Sequence, residues 1–118
     1  MRTANPKGLG FADIKPILEE VVQGLKGLYG ERLAQLVLYG SYARGEAHDE
    51  SDVDLLLLLH GEIKAFEEIE RANNVLWPLS LEHDILLGVV PASLEAFEQM
   101  RMGKAFVWNV QREGIRLI

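Results

Sequence analysis

The chain has 118 residues, 48% hydrophobic and 25% charged, with a formal net charge of −6 and no cysteine. That length fits one domain with a single core, and the composition excludes a disordered polymer. Lack of cysteine excludes disulfides and thiolate metal sites and fits a reducing compartment. The acidic balance, with no Lys/Arg cluster, argues against direct nucleic-acid binding. No apolar run is long enough to span a bilayer, and the opening MRTANPKGLGF lacks the apolar region of a secretory signal, so a cytoplasmic protein with no membrane contact is expected.

Residues 1–10, with Pro6, Gly8 and Gly10, read as a loose lead-in. A helix is predicted over 13–29, with Asp13 as N-cap and Pro16 in the first turn, where its missing N–H costs little. Ile14, Ile17, Leu18, Val21, Val22, Leu25 and Leu28 give it one apolar face. Gly24 and Gly27 weaken this helix and allow close packing. Residues 34–39 read as a first strand, Gly40-Ser41 ends it, and 41–45 form a short helix. After a polar loop over 46–51, a second strand is predicted over 52–60. Its run of leucines fits burial on both faces. A helix from Glu62 to Trp77 is expected to stop at Pro78. A third strand follows over 83–90, closed by Pro91. Ser93 N-caps a further helix with Leu94 and Phe97 inward. Met102-Gly103 interrupts it, and a last helix runs to Glu113 with Gly114 as its C-cap. Phe106, Val107 and Trp108 are consecutive, so they cannot all face the core.

The informative stretch is Gly40-Ser41, ten residues, then Asp52-Val53-Asp54. A small-residue turn that can approach a phosphate precedes two carboxylates at the mouth of an apolar strand. The period of a strand is two, so Asp52 and Asp54 point to one face. Two carboxylates that close repel unless a cation lies between them. Mg²⁺ suits oxygen ligands and is commonly shared with substrate phosphates, and two such ions could serve attacking and leaving oxygens. Ser41 and the amides after Gly40 would face the phosphates, and Arg44 could add positive charge. Arg44 reads equally well as a solvated surface arginine.

Topology adds a third acid. Antiparallel first and second strands would put Gly40 and the carboxylates on one sheet edge. A helical crossover makes the third strand parallel to the second, so its start shares that edge. Asp84 is the expected third carboxylate, with Glu82, on the same predicted strand face, as the alternative. Glu46, Asp49 and Glu50 read as loop solvation. His48, His60 and His83 show no metal-ligand spacing, and Tyr39 and Tyr42 read as packing around the turn.

These residues resemble the superfamily of DNA polymerase β, poly(A) polymerases and aminoglycoside nucleotidyltransferases. The match is to the minimal nucleotidyltransferase (MNT) family, whose signature of GS, ten residues and DxD is met by Gly40, Ser41, Asp52 and Asp54. The ending NVQREGIRLI is also similar. The resemblance implies an α/β (α+β) nucleotidyltransferase fold, a small mixed β-sheet flanked by helices, as one domain over 1–118. It implies Asp52, Asp54 and a third acid as metal-binding catalytic residues, with Gly40, Ser41 and Arg44 at the nucleotide. It further implies AMP transfer from ATP to a hydroxyl of a HEPN-domain partner, as the antitoxin of a toxin–antitoxin module. The chain is too short to carry its own acceptor domain, which agrees with an acceptor arriving on another protein, in a homo- or hetero-oligomer. A non-catalytic module that neutralises such a partner by occlusion is the alternative.

Overall fold

The computed structural model describes residues 10–48 and 51–118; the lead-in over 1–9 and the loop residues Asp49 and Glu50 lie outside them. Helix α1 (Phe11–Tyr29) leads through a 3-10 turn (Gly30–Arg32) to β1 (Leu33–Tyr39) and the four-residue α2 (Ser41–Arg44). Strand β2 (Val53–Leu59), helix α3 (Ala65–His83) and strand β3 (Leu87–Ser93) follow. The short α4 (Leu94–Glu98), α5 (Lys104–Glu113) and β4 (Ile115–Arg116) complete the order. The sheet runs β3-β2-β1-β4, with β2 antiparallel to β1 and parallel to β3, and β4 antiparallel to β1.

Strand β2 is the centre of the molecule because both its faces are apolar, and Leu55 to Leu59 are fully buried. Alternation splits them. Leu55, Leu57 and Leu59 pack against Leu18, Val21 and Leu25 of α1 and Ala72 and Leu76 of α3. Leu56 and Leu58 face Phe97 of α4 and Val107 and Val110 of α5. The result is three layers: α1 and α3, the sheet, then α4 and α5.

Several predicted boundaries are corrected. The N-cap of α1 is Gly10, not Asp13; Asp13 sits three residues on and its Oδ2 accepts the Gly10 amide at 3.0 Å. Pro16 consequently falls in the second turn, on the solvent side. Pro78 does not stop α3, which runs on to His83. Its ring is exposed, while the residues beyond it, Leu79 and Ser80, are packed inward and hold the last turn down. The helix ends at Asp84, which takes a left-handed conformation (φ 52°). Ser80 then ties the exit, because its Oγ accepts the Leu87 amide at 3.1 Å.

Strand β3 therefore starts four residues later than expected and contains Pro91. A proline is tolerated there because β3 is an edge strand, where one row of backbone groups has no ladder partner. Ser93 caps α4 as expected, accepting the Ala96 amide at 3.0 Å. Of the aromatic run, Val107 is buried, Phe106 half-buried and Trp108 exposed. Strand β4 was not anticipated.

At the sheet end remote from Gly40, Glu68 is 4% exposed. It accepts hydrogen bonds from Tyr29 (2.9 Å), Arg32 (2.9 Å) and Arg71 (2.7 Å). This network joins α1, the 3-10 turn and α3. Burial raises the Tyr29 hydroxyl to about 12, helped by the Glu68 carboxylate.

Candidate active site

Tyr39 pairs with Asp54 across the β1–β2 ladder, so the end of β1 and the start of β2 share one edge, as the topology argument requires. Gly40 follows Tyr39 with φ 81° and ψ −157°, a conformation essentially restricted to glycine. It also meets Asp54 directly: a Cβ on Gly40 would collide with the Asp54 Oδ2, and would lie 3.2 Å from its Cγ. Glycine is thus required twice over, by the backbone turn and by the carboxylate beside it.

Ser41 opens α2, whose first bond runs from the Arg44 amide to the Gly40 carbonyl (3.1 Å). Gly45 closes it in the left-handed region, with φ 74° and ψ 22°. Tyr42 is buried under this turn. Burial raises its pKa, with the Asp13 and Asp52 charges adding to the effect.

Asp52 stands just before β2 and is exposed, whereas Asp54 is half-buried. Both lie on the face shared by Leu56 and Leu58, toward α4 and α5. Burial pushes the Asp54 carboxyl up from its ordinary value, the Asp52 charge pushes it further, and Arg44 pulls it down. A cation shared by the two carboxylates would offset this repulsion. Both offer hard oxygen donors beside the Gly40 turn, so the residues present fit a divalent metal of the Mg²⁺ type.

Arg44 lies within this field and is itself paired, with its Nε 2.9 Å from Glu46 and its Nη1 3.7 Å from Glu113 of α5. Beneath it Tyr39, Gly40, Phe106 and Asn109 help line a cavity of about 210 Å³. Tyr39 is set against Phe106 edge to face, with ring centres 5.5 Å apart. Burial raises the Tyr39 hydroxyl, and the Asp54 charge adds to it. Tyr39 packs beside the turn as expected, whereas its Phe106 partner and Glu113 were not anticipated as neighbours of the site. Only the β1–β2 register and the return of α5 place them there.

The third acid is not where the strand argument put it. Glu82 and His83 belong to α3 and Asp84 is its C-cap, so the shared strand face assigned to Glu82 and Asp84 does not exist. Along β3, Gly88 stands in register with Asp54, and the Leu86 carbonyl accepts the Val53 amide at 2.9 Å, which sets Leu86 beside Asp52. Asp84 lies in the turn before Leu86. Among the described residues, three metal-ligand groups come within 4.8 Å of one another only at Glu20, Glu82 and His83. That trio lies between α1 and α3, where His83 Nε2 is 2.8 Å from Glu20.

With this geometry in view, residues 18–107 match the family described as Nucleotidyltransferase domain. The chain belongs to the nucleotidyltransferase family. It is 31% identical over 97 residues to a candidate protein adenylyltransferase of Methanocaldococcus jannaschii, covering 82% of this chain and 90% of that one. Two solved structures share the nucleotidyltransferase fold. A toxin–antitoxin complex with AMP-PNP superposes with a TM-score of 0.52 at 21% identity, over 85% of this chain and 72% of that one. A variant of the toxin–antitoxin MntA-HpeT superposes with a TM-score of 0.56 at 20% identity, over 85% and 71%. This nucleotidyltransferase contains, among its described residues, no helix long and apolar enough to cross a membrane.

Proposed function

We propose that this nucleotidyltransferase moves AMP from ATP onto a hydroxyl of a partner protein and works as the antitoxin of a HEPN-type toxin. The observation that carries the chemistry is the close approach of Gly40 to Asp54, which sets the glycine turn against the carboxylate pair. The relative named for protein adenylylation and the toxin–antitoxin neighbours support the acceptor class and the setting.

In this reading Ser41 and the amides after Gly40 hold the triphosphate. Asp52 and Asp54 would hold Mg²⁺, which would supply neutralisation of phosphate charge and acidify the acceptor hydroxyl. Arg44 leaves Glu113 to pair with the departing pyrophosphate. The acceptor oxygen forms a bond to the α-phosphorus in line with the leaving oxygen. The bond to pyrophosphate breaks, and the acceptor proton passes to a carboxylate or water at the edge. Asp84 is the proposed third acid, acting from the turn ahead of Leu86. Most of the rate then comes from positioning and charge neutralisation.

A second reading, neutralisation by occlusion alone, draws support from Leu86 and Gly88 occupying the β3 positions beside the pair. One experiment separates the two. The purified chain is incubated with the product of its neighbouring gene, Mg²⁺ and each of the four nucleoside triphosphates, and intact masses are recorded. Adenylyl transfer adds AMP units to the partner with ATP and none with Asp52→Ala. A stable complex with no mass gain from any triphosphate leaves occlusion.

A further inference from the structure

Three large apolar side chains converge at the edge that carries Asp52. Trp77 is 56% exposed, Leu81 65% and Leu86 51%. Single exposed apolar residues are ordinary, and Phe66 near the start of α3 and Trp108 on α5 stand as such. These three differ because they line one depression of about 210 Å³, together with Ser80, Asp84 and Ile85. Trp77 and Leu81 are four residues apart on α3 and form one ridge. Leu86 continues that ridge onto the sheet edge, where its carbonyl holds the Val53 amide at 2.9 Å, immediately after Asp52.

We propose that this depression is where the acceptor protein docks, and that the occupant is a helix with apolar side chains and a Lys/Arg rim. The inference rests on the protein-acceptor reading and names the surface that reading needs. The turn and α2 flank the carboxylates from β1, and Leu86, at the end of the depression, is bonded through its carbonyl to the Val53 amide between them. Nucleotide and acceptor thus approach from opposite flanks.

A helix suits the surface better than an added strand. The outer edge of β3 is only seven residues long and contains Pro91, which blunts strand addition. The Trp77–Leu81 ridge and the groove below it match helix packing by ridges and grooves. Charge sets the rim: the lining includes the Asp84 carboxylate and no basic side chain, and the whole chain is acidic. A docked aromatic or leucine would find Trp77, of the residue type that most often dominates binding energy at such interfaces.

The test is calorimetric titration of the full chain with the neighbouring-gene protein, for wild type, Trp77→Ala, Leu81→Arg and Phe66→Ala. All three substituted side chains are exposed, and unchanged thermal melts confirm folding. Trp77→Ala and Leu81→Arg are each expected to weaken binding at least tenfold, and Phe66→Ala to leave it unchanged. Equal affinity of all four proteins, or no binding by wild type, overturns the docking surface. The protein-acceptor reading fails separately, if wild type binds through this surface yet adds no AMP to the bound partner.

Discussion

Gly40→Ala is the sharpest perturbation of the site. Alanine at φ 81° and ψ −157° occupies a region that costs about 1–3 kcal/mol for a residue with a Cβ. The new methyl also displaces the half-buried Asp54 carboxylate, an overpacking worth about 1–2 kcal/mol. Together these give a loss of about 3 kcal/mol, or roughly 10–15 °C in Tm for a domain of this size. Gly45→Ala is the internal reference. It is also left-handed, at φ 74°, but nothing lies within 4 Å of its added Cβ. Its cost is about 1 kcal/mol. Urea and thermal unfolding of both variants, of Asp54→Ala and of Gly40→Ala combined with Asp54→Ala measure the contact as a coupling energy of about 1–2 kcal/mol. Mg²⁺-dependent binding of a non-hydrolysable ATP analogue should fall at least tenfold in Gly40→Ala and little in Gly45→Ala. Equal stability of the two single variants, with no coupling to Asp54, would refute the close approach on which the site is built.

Asp54→Asn should raise the melting temperature of the metal-free protein by a few degrees at neutral pH, because the folded-state carboxyl is pushed up and its ionisation opposes folding at any pH above that raised value. For the same reason Mg²⁺ binding should weaken on acidification from a higher pH than an ordinary aspartate would give. Glu68→Gln should cost about 2–3 kcal/mol, discounted from a fully buried pair because Arg32 and Arg71 are each 41% exposed. Burial pushes Glu68 up, but hydrogen bonds from Arg32 and Tyr29 outweigh it and hold the carboxyl low. Its contribution is therefore full above the ordinary carboxylate range and lost as pH falls through the depressed value. Denaturant melts between neutral and acidic pH should show a shallower acid slope in Glu68→Gln. On α1, Gly27→Ala should stabilise by about 0.5–1 kcal/mol, since its added Cβ meets nothing. Gly24→Ala should not, because its Cβ would lie 2.5 Å from Val75 Cγ1 and push α1 off α3.

The sequence made the carboxylate pair and the turn legible because they depend on spacing along two adjacent strands, and a short loop leaves few ways to join those. The parallel crossover was legible for the same reason: a helix between two strands has essentially one arrangement. What failed was the end of α3. Pro78 signals a stop only if the chain beyond it has no reason to stay helical, and Leu79 and Ser80 supply that reason through packing that no local pattern displays. The four-residue slip moved Glu82 and Asp84 off the strand and brought Leu86 to the edge instead. The Arg44–Glu113 pair and Tyr39–Phe106 were invisible because they join residues far apart in sequence through α5. Strand β4, two residues long, carries too little pattern to be read at all.

The proposed reaction is adenylyl transfer to a protein at the Asp52–Asp54 edge. It is tested most directly by incubating the chain and its neighbouring-gene partner with Mg²⁺ and ATP labelled at either the α- or the γ-phosphorus, and following label in the protein bands. α-Label is expected to enter the partner, γ-label to stay out of it, and Asp54→Asn to abolish the signal. Label from the γ-phosphorus in the partner, or α-label that survives Asp54→Asn, would contradict it.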